Sequence, residues 1–332
     1  VWTDVIRAGL VLLVPVLGAE QLWPLYALIF VHASVGTFFA PARMAMIPRV
    51  VPAEGLAQAN GLGESTRPIA MVAGTATAGL LVGFFDGFVA VFTIDAFTFL
   101  ASAVLVLRLT VSGAPDREPS TGGARVVFSE LLAGFATIRS SRLLVGIVLG
   151  GAVAMFGLGA VNAVMVPFIV GELALAETWF GLIEAAQTVG MVAAGMSVGW
   201  LAGRIGLPKL VVGGIGTVGV LVVLISLVDG IVGMAVVLFA MGLTMAPLMA
   251  AVSTLLQTET PPEKLGRVAS SLNAVVTGAG VGSMAVAASL AAVIGIRGVF
   301  VAAGALAIVA ALVTAALFAG APQTEPVAAD AL

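Results

Sequence analysis

The chain is 332 residues long, 61% hydrophobic and 9% charged, with a formal net charge of −3. A soluble domain carries about 25% charged residues, and no soluble exterior could hide this much apolar surface, so the main solvent must be lipid. The small acidic charge gives no reason to expect a nucleic-acid partner. Cysteine is absent and His32 is the one histidine. That excludes a disulfide frame, a thiolate nucleophile and a multi-histidine metal cluster, and no metal or other cofactor is expected.

A bilayer core about 30 Å thick is crossed by roughly 20 apolar residues in a helix. Ten such stretches are predicted, at 2–18, 22–42, 60–84, 88–109, 143–169, 178–202, 208–228, 231–256, 268–292 and 298–319. Between the fourth and fifth runs a polar linker whose Pro, Gly and charge content starts at Ser112. Residues 126–140 then read as an amphipathic helix at the membrane surface, with Val127, Leu131, Leu132 and Phe135 on one face and Glu130 and Arg139 off it. The predicted organisation is a four-span bundle over 1–109, a cytoplasmic linker over 110–142, a six-span bundle over 143–319 and a disordered tail over 320–332. Val1 opens the chain almost directly in an apolar run, which reads as a fragment of a longer protein.

Basic residues concentrate on the cytoplasmic side of membrane proteins. If the ten spans alternate, thirteen of the fourteen Lys and Arg fall on one side, and only Arg297 falls on the other. Both ends of the chain are therefore expected in the cytoplasm. An internal repeat supports the span count. Pro52, Glu54 and Leu56 follow the second span, and Pro261, Glu263 and Leu265 follow the eighth, offset by 209 residues at equivalent loops. Halves of six spans joined by a cytoplasmic linker are the parallel-repeat plan of one large transporter class.

The residues also carry a resemblance. The run from Phe38 through Pro41, Arg43 and Pro48 to Leu56, Gln58 and Asn60 resembles the loop between the fourth and fifth helices of the major facilitator superfamily. More narrowly it is similar to bacterial enterobactin exporters and macrolide-type drug efflux permeases. Asp4 and Arg7 resemble the start of their third helix, and Gly199, Arg204, Gly206 and Lys209 resemble the second copy of the superfamily's cytoplasmic loop signature. That loop usually carries an Asp where this chain has Gly203. The resemblance implies an all-α integral membrane fold of six plus six helices, with two helices preceding Val1, in a bacterial inner membrane. It also implies export of small amphipathic molecules such as drugs or siderophores, with protons as a coupling partner. The family's fifth-helix antiporter signature is degraded to Gly74, Thr75, Ala78 and Gly79, without its proline.

Ionisable groups inside lipid cost roughly 2.5–3.5 kcal/mol on insertion scales, so each is a functional candidate. Asp95 sits two turns into the fourth span and reads either as a proton or cation ligand or as an acid bonding neighbouring helices. Glu184 sits two turns into the sixth span with Gln187 on the same face, and reads as a proton carrier or as a hydrated acid near the outer interface. His32, four residues before Gly36, is a titratable candidate or a neutral inter-helix hydrogen-bonding group. Asn60, Asn162 and Asn273 either line a path or bond between helices. Met155, Phe156, Trp179, Met241 and Met245 are candidate lining residues or plain packing. Small residues at four-residue spacing permit close helix contact, which marks Gly74, Gly79, Gly195, Gly278 and Gly282. Gly214, Gly216 and Gly219 spell a dinucleotide fingerprint, but inside an apolar span without the strand that motif requires.

An enzyme is not expected, because no nucleophile, base and ligand set converges. The leading function is secondary transport in which the two halves rock about a midplane cavity, with a small-molecule substrate, lipid and protons as partners. A lipid or other solute transporter, a channel and a non-transporting sensor are the alternatives.

Overall fold

The structure is a computed structural model that describes residues 1–17, 22–36, 39–84, 89–108, 124–175 and 179–320. The predicted polar linker from 110 to 123 and the predicted tail beyond 320 lie outside the described residues. Within them the architecture is all-α. Helices α1 (Trp2–Leu17), α2 (Leu22–Gly36), α3 (Phe39–Val50), α4 (Leu56–Phe84) and α5 (Val89–Leu107) come first. Helix α6 (Ala124–Arg139) follows, then α7 (Arg142–Pro167), α8 (Trp179–Gly195), α9 (Val198–Ile205), α10 (Leu207–Ile225), α11 (Ile231–Glu259) and α12 (Pro262–Ala319).

Helix ends follow local chemistry. Ser141 caps α7 by accepting from the Leu144 amide at 3.4 Å. Pro208 and Pro262 sit in the first turns of α10 and α12, where a missing N–H leaves nothing unsatisfied. Pro167 closes α7, and the chain widens there into a π turn, Phe168–Glu172.

Helices α5, α7 with its π turn, α10, α11 and α12 are each long and apolar enough to cross a bilayer, and the pair α8–α9, bent by 62°, makes a sixth such element. The expected second span covers α2 and the start of α3, and residues 37 and 38 between them lie outside the described residues. The expected ninth and tenth spans form one run of 58 residues, about three bilayer thicknesses at about 1.5 Å per residue. Gly295, with φ 74° and ψ 164°, breaks it into arms 262–294 and 296–319, each of crossing length. That backbone region is open essentially to glycine alone.

The chain forms two compact units. The first holds residues 1–56 and 66–121, the second residues 57–65 and 122–332. In the first unit α1 lies along α5, and Ala8, Val11 and Ala96 form the buried core with Phe92 and Phe99 against it. In the second, α12 packs along α7 and α10, and α8 packs along α11. Leu144, Phe168, Ile169, Ile225, Met234, Leu256 and Phe300 are fully buried there. Outward-facing large apolar groups such as Trp23 (84% exposed) and Val293 (82%) are what a lipid solvent permits. The first turns of α4 thus pack with the second unit, although the rest of that helix belongs to the first. Helix α6, expected at the membrane surface, has a protein partner. It rests on the start of α12, where Ser271 Oγ donates to the Leu131 carbonyl at 3.1 Å and Arg267 lies 3.5 Å from Glu130.

Candidate functional site

A polar seam runs through the first unit between α1, α2 and α5. Asp4, only 2% exposed, accepts from Ser102 Oγ at 3.2 Å. One turn on, Arg7 Nε donates to His32 Nε2 at 3.2 Å. The Arg7 guanidinium lies 4.4 Å from the centre of the Phe99 ring, and His32 meets that ring edge-on at 5.9 Å. Residues 4 and 102, then 7 and 99, then 11 and 96 step in opposite directions along the two helices, so α1 and α5 run antiparallel. Asp95, one turn from Phe99 and exposed, lies within electrostatic range of His32. No ion pair forms at Arg7 or at Asp95 among the described residues.

The Arg7–His32 bond fixes a tautomer. Arginine only donates, so His32 Nε2 must hold a lone pair and the ring proton sits on Nδ1. A proton on Nε2 and the bond from Arg7 exclude each other. Two unit charges 3.2 Å apart repel by about 5 kcal/mol at an effective dielectric of about 20. The sequence placed Arg7 at the rim of the first span as part of a loop signature. The fold turns it instead onto a histidine of the next helix, which spacing along one strand of sequence could not reveal.

The remaining candidates scatter. Glu184 is exposed on α8, and Gln187 beside it is half-buried. Asn162 on α7 and Asn273 on α12 are exposed and make no hydrogen bond among the described residues. Phe156 and Trp179 are 40% and 43% exposed, whereas Met241 is buried in α11 and is a packing residue. The loop-signature residues Gly199, Arg204, Gly206 and Lys209 sit on α9 and the start of α10. Gly206, at φ 88°, makes the sharp join between those helices. Arg204 lies 5.3 Å above the Trp200 ring.

The glycine expectations divide. A Cβ on Gly195 would strike Ser65 and the Gly61 carbonyl, so its smallness is required. Among the described residues, Gly74, Gly278 and Gly282 have no neighbouring atom within 4 Å of that position. The surroundings of Gly79 lie outside the described residues. Further tight crossings bring Gly159 against Gly280, Gly190 against Phe239, Gly242 against Gln187, and Gly219 against Gly304.

At one end of the second unit Arg297 Nε donates to Glu172 and Nη2 donates to Asp229, both at 2.9 Å, while Nη1 donates to the Ser226 carbonyl at 2.7 Å. The same guanidinium stands 5.5 Å from the Phe168 ring, itself edge-on to Phe300 at 4.9 Å. The Asp229 and Glu172 hydrogen bonds hold the guanidinium pKa above its usual value. Sequence reasoning saw Arg297 only as the basic residue on the wrong side. The nearby acids Glu172 and Asp229, both in the same set of short loops, were the signal that a clamp forms.

Comparison with known proteins agrees with this architecture. The family model described as Major Facilitator Superfamily matches residues 3–158 and 147–331. A relative from Bacillus subtilis (strain 168), named as the uncharacterized MFS-type transporter YvqJ, is 26% identical over 148 residues. The match covers 43% of this chain, and the chain spans about a third (35%) of that relative's length. The crystal structure of a bacterial homologue of the iron transporter ferroportin in the outward-facing state superposes with a TM-score of 0.67 at 15% identity. It covers 96% of this chain and 81% of that one, a likeness of fold. The family model spans almost the whole of this multi-pass membrane protein, and the chain belongs to the Major Facilitator Superfamily.

Proposed function

We propose that the chain is a secondary transporter that exports small amphipathic molecules, drugs or siderophores among them, by alternating access, with protons as the coupling ion. The observation that carries this reading is the Arg7–His32 bond between apolar helices, with the Asp95 carboxylate, which forms no ion pair among the described residues, in electrostatic range. A group that loads a proton only by breaking a bond to a fixed cation couples protonation to side-chain position. Proton arrival on His32 Nε2 expels Arg7. Departure lets the guanidinium return. Asp95 supplies a compensating negative charge and a place for the proton to pass. Glu184, Gln187 and Asn162 are the further polar groups of the pathway in the second unit. The division into a four-span bundle over 1–109 and a six-span bundle over 143–319, with both ends cytoplasmic, belongs to the same reading. The lopsided distribution of basic residues supports it.

Counterflow in proteoliposomes tests it, using labelled amphipathic drugs and a catecholate siderophore. His32→Gln, Arg7→Gln, Asp95→Asn and Glu184→Gln are each compared with the parent under an imposed pH gradient. The expected result is that His32→Gln and Arg7→Gln abolish the dependence on the gradient while exchange continues, and that Asp95→Asn and Glu184→Gln reduce it. Unchanged pH dependence in both His32→Gln and Arg7→Gln refutes the coupling. Equilibration without accumulation identifies a channel instead.

A further inference from the structure

The first turns of α4 are held in the second unit by three polar side chains that the proposed coupling does not use. Asn60 is 4% exposed, Thr254 2% and Gln257 6%. Asn60 Nδ2 donates to Thr254 Oγ1 at 3.0 Å and to Gln257 Oε1 at 2.7 Å. The Thr254 hydroxyl in turn donates to the Ala250 carbonyl at 2.7 Å. Both protons of one amide are thus spent on two acceptors one turn apart on α11. Ala57, Val198 and Ala250 close an apolar ring beside the node, with Ala202 and Leu207 against it. Gly61 lies so close to the Gly195 carbonyl and Val198 that a Cβ there would clash, and Gly199 faces Gln58 at 3.2 Å by the same measure.

The chemistry of the node is unusual for a permanent helix contact. It holds no charge, so opening it exposes no ion to a new environment. Water re-forms the same hydrogen bonds on all three groups, so each bond adds little net stability while still demanding one geometry. The packing around it is small and smooth, built of Gly, Ala and Val. A contact that specifies register strictly and is held weakly is suited to repeated release. Its place in the fold matches, because residues 57–65 leave the unit that holds the rest of α4.

We propose that Asn60 is a positioning residue of a releasable latch. In one stage of the transport cycle the first turns of α4 leave α11, α8 and α9, and the Asn60–Thr254–Gln257 node sets the register in which they return. The proposal rests on the transporter reading, and its test separates the two.

The chain has no cysteine, so a single reporter is clean. Ala57→Cys places a thiol at a position 9% exposed beside the node. Its rate of reaction with a membrane-impermeant maleimide in inverted vesicles reads how often the latch opens. Adding Asn60→Leu, or separately Gln257→Leu, is expected to raise that rate about tenfold, the equivalent of roughly one net hydrogen bond of local opening. Thr254→Ser, which keeps the hydroxyl, is expected to leave it at the parent value. Two disruptive variants guard against one that fails to fold, which its elution profile would reveal. In a second arm, an Asn60→Cys/Gln257→Cys pair closed by oxidation is expected to stop counterflow and to regain it on reduction. An unchanged labelling rate in both leucine variants overturns the latch, as does full transport by the closed pair. Labelling needs no substrate. A rise in labelling in a protein that moves none of the tested compounds therefore counts against the transporter reading and for the opening of α4.

Discussion

Replacing Gly242 by alanine tests the packing of the second unit most directly. Gly242 lies where α11 crosses α8. A Cβ built on it would strike the Gln187 carbonyl, with the Met191 amide nitrogen 2.8 Å and the Gln187 carbonyl carbon 2.9 Å away. All three are backbone atoms of a helix, so none can rotate aside, and the two helices must separate. Overpacking of this kind costs about 1–3 kcal/mol, and rigid neighbours put this case near the upper end. Alanine returns about 0.5–1 kcal/mol through its better helix propensity. The net loss is then about 2 kcal/mol, a fall of about 4–8 °C in melting midpoint for a unit of this size. The assay is thermal unfolding of the detergent-solubilised protein, followed by the loss of its monodisperse elution peak. Gly213→Ala is the control, since no atom lies within 4 Å of its Cβ position. It is expected to match or slightly exceed the parent. Gly190 faces the same crossing from α8, where a Cβ would strike the Phe239 carbonyl. One separation of the helices relieves both clashes, so Gly190→Ala with Gly242→Ala should cost less than the sum. A Gly242→Ala midpoint within a degree of the parent, or a larger fall in Gly213→Ala, would refute the reasoning.

Two further predictions concern the clamp and the hinges. Arg297→Gln is expected to lower the melting midpoint by an amount that does not change between about pH 6 and 9. The folded pKa of Arg297 is raised above its usual value, so its stabilisation is complete across the neutral range and is lost only as the pH rises through the higher folded value. A midpoint difference that shrinks across the neutral range would show that some other group sets the contribution of the clamp. Gly295→Ala and Gly206→Ala, at φ 74° and 88°, are each expected to cost about 1–3 kcal/mol, because an L side chain is strained there. Gly203→Ala, in open space with a helical backbone, should not, and chemical or thermal unfolding of the three variants side by side checks it.

Several features were legible in the sequence for physical reasons that act locally. A chain this apolar has to be solvated by lipid. Each long apolar run has to satisfy its backbone internally as a helix, which is why the expected spans at 2–18, 60–84, 88–109, 143–169, 208–228 and 231–256 fall on α1, α4, α5, α7, α10 and α11. Proline and glycine marked the ends. The polar candidates His32 and Asp95 stood out because an ionisable group among apolar neighbours is costly wherever it falls.

The sequence could not say which faces meet. Four-residue glycine spacing marks a smooth stripe on a helix, but not whether another backbone comes to it. Gly278 and Gly282 have the pattern and no described neighbour within 4 Å, while Gly242 and Gly190 lack it and press on the backbone of a neighbouring helix. Arg7 and His32 are 25 residues apart, and Asn60 and Gln257 are 197 apart. Each pair is made by the rotation of a helix about its own axis and the depth at which it crosses its neighbour. Those two quantities depend on the summed packing of all the other helices, so tertiary structure alone decided them, whereas lipid and backbone hydrogen bonding had already fixed the helices themselves.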